Sequence, residues 1–153
     1  MPSVLRAFSR LPMSGRMATK RKGFKPKAKP FAMMYWQLGQ SAPYRALSFT
    51  ARGVLMELHM QYNGKNNGDL SATRTMAKEW GVSSPNILQK ALADLLRGGW
   101  IILTRSSYFS RHGSRCALYA LSWYAIDDCP GKELEISATT SPLKTIRELT
   151  SSN

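Results

Sequence analysis

The stretch KEWGVSSPNILQKALADLLRGGWI, Lys78 to Ile101, is where the fold is decided. Its apolar residues fall at Ile87, Leu88, Ala91, Leu92, Leu95 and Leu96, a spacing that lays one continuous stripe along a helix. Ser84 followed by Pro85 is a start signal, an N-cap and then a proline in the first helical position, and Gly98-Gly99 closes the helix. The stripe alone leaves two readings open. The helix is either an ordinary core element with a solvated outer face, or one whose outer face also meets a partner. The neighbouring elements decide between them.

Upstream, Ser48 offers an N-cap, and SFTARGVLMELHMQY places Ala51, Val54, Leu55, Leu58 and Tyr62 on one face, predicting a first helix of about four turns. The loop NGKNNG, residues 63–68, carries glycines and asparagines that accept positive φ. A short extended piece, DLSA, leads into a second helix, TRTMAKEW, with Met76, Ala77 and Trp80 inward, and Gly81 stops it. After the third helix, WIILTR has strand character; SSYFSRHGS reads as a polar loop, and RCALYALSWYAI resumes in extended form, so the two strands make a hairpin. The run FAMMYWQLGQSAPYRAL before the first helix is broken by Gly39 and Pro43 and reads as a short helix or an irregular apolar segment. No internal repeat is present.

The charge is unevenly placed. Lys and Arg number 22 against 9 Asp and Glu, a formal net charge of +13, and nine of the basic residues lie in residues 1 to 30, before the first acid at Glu57. Residues 1 to 30, with KRKGFKPKAKP at Lys20 to Pro30, are expected to be a disordered basic arm. Such a field attracts polyanions, nucleic acid first and an anionic membrane second. MPSVLRAFSRLPMSGR, residues 1–16, also has the composition of a mitochondrial transit peptide, but Met17 opens MATKRKG as an alternative translation start, and an extension is the favoured reading. No apolar run approaches the roughly 20 residues of a membrane span and no secretory signal is evident, so a cytoplasmic protein is expected. Cys116 and Cys129 do not make a disulfide framework.

The order of helix, short strand, helix, tight turn, capped helix, strand, basic loop and strand is that of a winged helix. MAKEWGVSSPNILQKALADLLRGGWI resembles the bacterial winged helix-turn-helix pattern, with Ala77, Gly81, Ser83, Ile87, Leu92, Leu95, Gly99 and Ile101 at the matching positions. Ala77 lets two helices approach, Gly81 permits the turn, and Ile87 and Leu92 are expected to hold the third helix against the first. The blocks NGKNNGDLSAT, GGWIILTR and LYALSWYAID are similar to small helix-turn-helix proteins of phages and mobile elements in proteobacteria, some related to replication-initiator DNA-binding domains. The segment from Gly81 to Ala91-Leu92 is one residue longer than the commonest regulator pattern, which leaves the leading groove residue open by one position. The expected fold is mainly α with a small β-wing: a three-helix core plus a two- or three-stranded antiparallel sheet over residues 31 to 127, followed by a polar flexible tail over 128 to 153 in which LKTIREL, residues 143–149, is a candidate for a weak two-turn helix.

The resemblance implies duplex DNA as partner, in the service of transcription regulation or origin-binding DNA replication. The N-terminal half of the third helix would face base edges in the major groove. Its polar face offers Ser84, Asn86, Gln89, Lys90 and Ala93, with Asn86 and Gln89 suited to adenine and Lys90 to guanine or a phosphate. Thr73 and Arg74, at the start of the second helix, would hold a backbone phosphate. Arg105, Arg111, His112 and Arg115 on the wing, with Lys20, Arg21 and Lys22 on the arm, would add backbone or minor-groove contacts. Asp94 and Glu79 are expected to face away from phosphate.

Other chemistry has little sequence support. His112, Cys116 and Cys129 lack the paired spacing of a metal site, and no Walker loop, GxSxG or carboxylate pair points to catalysis. No enzyme activity, cofactor, metal or small-molecule substrate is expected. Homodimerisation through FAMMYWQL stays open, as do two other functions: a basic RNA-associated protein, ribosomal or organellar, and a winged protein-interaction module. Of the four tryptophans, Trp80, Trp100 and Trp123 are expected in the core, with Trp36 and Tyr35 the candidates for exposure.

Overall fold

The computed structural model describes residues 30–151. The expected basic arm, with Lys20, Arg21 and Lys22, therefore lies outside the described residues apart from Pro30. The architecture is mixed α/β, with six helices and two small antiparallel sheets among the described residues. Two five-residue helices, α1 (Trp36–Gln40) and α2 (Ala42–Ala46), occupy the segment that Gly39 and Pro43 interrupt. Ser41 joins them: its hydroxyl donates to the Leu38 carbonyl at 2.8 Å and accepts from the Tyr44 N–H at 3.3 Å.

Helix α3 (Phe49–Gln61) begins where Ser48 predicts, with the Ser48 Oγ accepting the Ala51 N–H at 3.1 Å, and buries Ala51, Val54, Leu55, Leu58 and His59. In the loop that follows, only the glycines take positive φ, Gly64 at 94° and Gly68 at 137°. The asparagines work through their side chains instead. Asn63 Oδ1 accepts the Lys65 N–H, Asn66 Oδ1 accepts the Asn63 N–H, and Asn67 is fully buried. Leu70 then forms an isolated antiparallel bridge with Tyr119.

Helices α4 (Arg74–Glu79) and α5 (Pro85–Arg97) are joined by a turn through Gly81 at φ 86°. Leu88, Ala91, Leu92 and Leu95 of α5 are buried, and the helix packs on α3 and on the strand that follows. At about 1.5–3 kcal/mol per buried leucine side chain, this face anchors the core. Two expectations are corrected here. Ile87 does not hold α5 against α3, because it is 51% exposed, and Leu96 is 37% exposed. On a helical wheel both stand at the margins of the arc centred between Leu88 and Leu95, so they share the stripe without reaching the core. Ser84 occupies the N-cap position, yet its side chain makes no capping hydrogen bond; Pro85 at the first turn carries the start signal.

The hairpin is longer than expected. Strand β1 (Ile101–Arg105) pairs antiparallel with β4 (Leu118–Leu121), Ile101 opposite Leu121, with a register shift between Leu103 and Arg105. The segment read as a polar loop is a second ladder, β2 (Tyr108–Ser110) against β3 (Gly113–Arg115), closed by a turn at Arg111-His112. Both faces of this ladder are largely exposed, so its sequence carries no apolar-polar alternation to announce the strands.

Residues 128–151 do not behave as the loose tail expected beyond Asp127. Helix α6 (Ile146–Thr150) has a capping box between Thr145 and Glu148, packs on α1 and α2, and buries Leu149 in the main core. The Glu135 N–H donates to the Thr104 carbonyl at 2.7 Å, Thr139 N–H to Ile126 at 2.9 Å, and Lys144 N–H to Ser122 at 3.0 Å. A Ser/Thr-rich composition can thus be ordered by backbone hydrogen bonds to a sheet already formed. No described helix is long and apolar enough to cross a membrane.

Candidate nucleic-acid interface

Opposite the buried arc of α5, Asn86, Gln89, Lys90, Ala93 and Arg97 are all exposed. Asn86, Lys90, Ala93 and Arg97 follow one another at i, i+4, i+7 and i+11, a single row along the helix. Arg97 was not singled out from sequence, although this spacing from Asn86 would have found it. Asp94 lies beside the row and is paired with Arg97 across one turn, Nη1 to Oδ1 at 3.1 Å. The face therefore offers an amide, an ammonium and a partly neutralised guanidinium over about three turns, with Gln89 at its margin. These groups can serve both bidentate base contacts and phosphate contacts.

Of the remaining predicted residues, Arg74 and Ser84 come together. They line one shallow cleft between α4 and α5 with Lys78 and Ser83. Thr73 is the N-cap of α4, and its Oγ1 accepts the Met76 N–H at 3.3 Å, so the hydroxyl already serves the helix end that was expected to receive a phosphate. Arg74 is exposed beside it, as is Glu79 at the other end of the helix.

The hairpin residues separate into two groups. Arg111 and His112 sit at the distal turn and are exposed. Arg105 and Arg115, expected to reach outward with them, are instead folded against the protein. Arg105 donates to the Cys116 carbonyl from Nη2 at 2.9 Å and to the Lys132 carbonyl from Nη1 at 2.8 Å. Arg115 pairs with Glu133 at 2.9 Å and Glu135 at 3.4 Å. Glu135 also accepts the Ser106 N–H and hydroxyl at 3.0 and 2.9 Å, and these bonds, with help from the two arginines, hold its carboxyl below the usual carboxylate range. Sequence reasoning missed this clasp because its partners lie 18 to 29 residues apart in a segment read as tail. It also missed Phe109, which stands 90% exposed next to Tyr108 at 55%. An aromatic pair two or three residues before a basic turn was the available signal.

Trp100 and Trp123 are buried as expected, and Trp36 is 78% exposed. Cys116 and Cys129 are free thiols, and no group of three or more candidate metal ligands occurs among the described residues. Compared with known proteins, the chain matches no family model, no curated protein and no solved structure.

Proposed function

We propose that this chain is a winged helix-turn-helix protein that binds duplex DNA, with α4 and α5 as the helix pair and the β1–β4 hairpin as the wing. The observation that carries the reading is the exposed row Asn86, Lys90, Ala93 and Arg97, opposite a fully apolar buried arc on a helix that follows a glycine turn. Docked with its N-terminal half in the major groove, α5 brings Asn86, Gln89 and Lys90 to base edges, while Arg97 and the cleft residue Arg74 meet the backbone. Arg111, His112 and Phe109 at the hairpin end would reach an adjacent groove, the aromatic acting as an apolar wedge. The role we favour is that of a phage or mobile-element transcription regulator or an origin-binding replication factor.

A protein-interaction module is the second reading, favoured by the outer face of α3. There Phe49 is 84%, Met60 61% and Met56 36% exposed along one row, the kind of apolar face that marks contact sites. Binding of the full chain to duplex DNA and to structured RNA at matched ionic strength, with Asn86→Ala and Lys90→Ala beside it, tests the proposal. Duplex preference that both substitutions weaken supports it. Preference for RNA, or affinity indifferent to both, removes it.

A further inference from the structure

The clasp at the base of the hairpin has the donor set of an anion site. The Ser106 N–H and hydroxyl and the Arg115 Nη2 converge on one carboxylate, that of Glu135, while Arg115 Nη1 holds a second, that of Glu133. A backbone N–H, a hydroxyl and a guanidinium gathered on one oxyanion are also what grips a nucleic-acid phosphate. We propose that this is a phosphate-binding site at the base of the hairpin, which the protein's own Glu133–Glu135 segment occupies until a backbone phosphate displaces it. The inference rests on the DNA-binding reading for its biological ligand, though not for the site itself.

Three observations distinguish this from an ordinary staple. The carboxylates are exposed, Glu133 to 73% and Glu135 to 45% by side chain, and solvent-exposed ion pairs of this kind contribute little to stability, so displacement is cheap. The Arg115 Nε is shielded from solvent and has no hydrogen-bond partner. The two carboxylates leave this donor unmet, and a tetrahedral oxyanion seated among the same donors would give it a partner. Glu133 has φ 52°, and is the one non-glycine with positive φ among the described residues. That backbone geometry is disfavoured for a residue with a Cβ, so the clasped form stores strain that opening releases. Meanwhile the segment stays tethered by Lys132 Nζ to Asp69 at 3.0 Å and by the Glu135 N–H to Thr104.

Titration of inorganic phosphate into the full chain, followed at the Ser106 amide and Arg115 Nε resonances, tests the site directly. In Glu133→Ala/Glu135→Ala these resonances should shift saturably, and wild type should show the same shifts only at several-fold higher phosphate, since the exposed carboxylates compete weakly. Glu135→Gln, which can keep the Ser106 hydrogen bonds, should give an intermediate response and guards against a merely misfolded double variant. With duplex DNA, the double variant should bind about 10-fold tighter at moderate salt, because a backbone phosphate then enters the site without displacing two carboxylates. A variant that folds and yet shows no phosphate-dependent shift overturns the proposal, because the clasp is then structural only. Saturable phosphate shifts support the site even if neither protein binds duplex DNA, and that pattern would instead sink the DNA-binding reading.

Discussion

Asn67 and Leu121, 54 positions apart, are locked as a pair: Asn67 Oδ1 accepts the Leu121 N–H at 2.7 Å and Nδ2 donates to the Leu121 carbonyl at 3.0 Å. The same amide group reaches the carbonyls of Tyr124 and Ala125, and the Asn67 backbone exchanges hydrogen bonds with Asp127. One fully buried side chain thus ties the loop after α3 to the end of β4. Asn67→Ala should lower unfolding stability by about 3 kcal/mol, since the Leu121 N–H and several carbonyls lose their partner away from water. A urea midpoint showing under about 1 kcal/mol of loss would mean that water replaces the amide.

Gly81 turns the chain between α4 and α5 at φ 86°, in open space with nothing within 4 Å of a would-be Cβ. Any cost of Gly81→Ala is therefore backbone strain alone, about 1 kcal/mol, and Gly81→Asn should cost less because asparagine tolerates the left-handed region. Chemical denaturation of both variants checks the order. Equal costs would contradict it.

Leu149 is 4% exposed within the main core, so Leu149→Ala should destabilise by about 2 kcal/mol or more through the cavity it leaves. A tail only loosely attached would show almost no change in thermal midpoint.

That last case marks the limit of what the sequence shows. Helix α5 was legible because Leu88, Ala91, Leu92 and Leu95 repeat at helical spacing between a Ser-Pro start and a Gly-Gly stop, all local signals. Leu149 was not, since one leucine in a Ser/Thr-rich stretch becomes core only when α1 and α2 supply the other wall. The candidate face divides in the same way. Asn86, Gln89 and Lys90 stand exposed where helix periodicity puts them, whereas Arg105 is drawn in by the backbone carbonyls of Cys116 and Lys132 and Arg115 by Glu133 and Glu135, partners that sequence spacing gives no reason to expect. Asn67 was read as a turn residue, because composition cannot tell an asparagine that bends the chain from one that pins it.

His59 lies buried edge-on to Trp123, ring centroids 5.7 Å apart, and loss of solvent holds its pKa below the ordinary value near 6.5. The unfolded chain therefore takes up a proton at pH values where the folded chain stays neutral, and acid favours unfolding. This contribution to stability is fully present above about pH 7, begins to fall as pH drops through 6.5, and is lost on reaching the lowered folded value. Thermal midpoints should decline from pH 7.5 to pH 5 in wild type and stay nearly level across that range in His59→Leu. An equal decline in both would assign the acid sensitivity to other groups.

Selection of bound sequences from a random pool of duplex DNA, run in parallel for the full chain and for Gln89→Ala, tests the central claim most directly. The account predicts one recurrent motif for wild type, relaxed by Gln89→Ala at one or two adjacent positions, as direct readout by α5 requires. A pool with no motif in either case, and affinity set by salt alone, would contradict it and leave α5 a core helix with a solvated face.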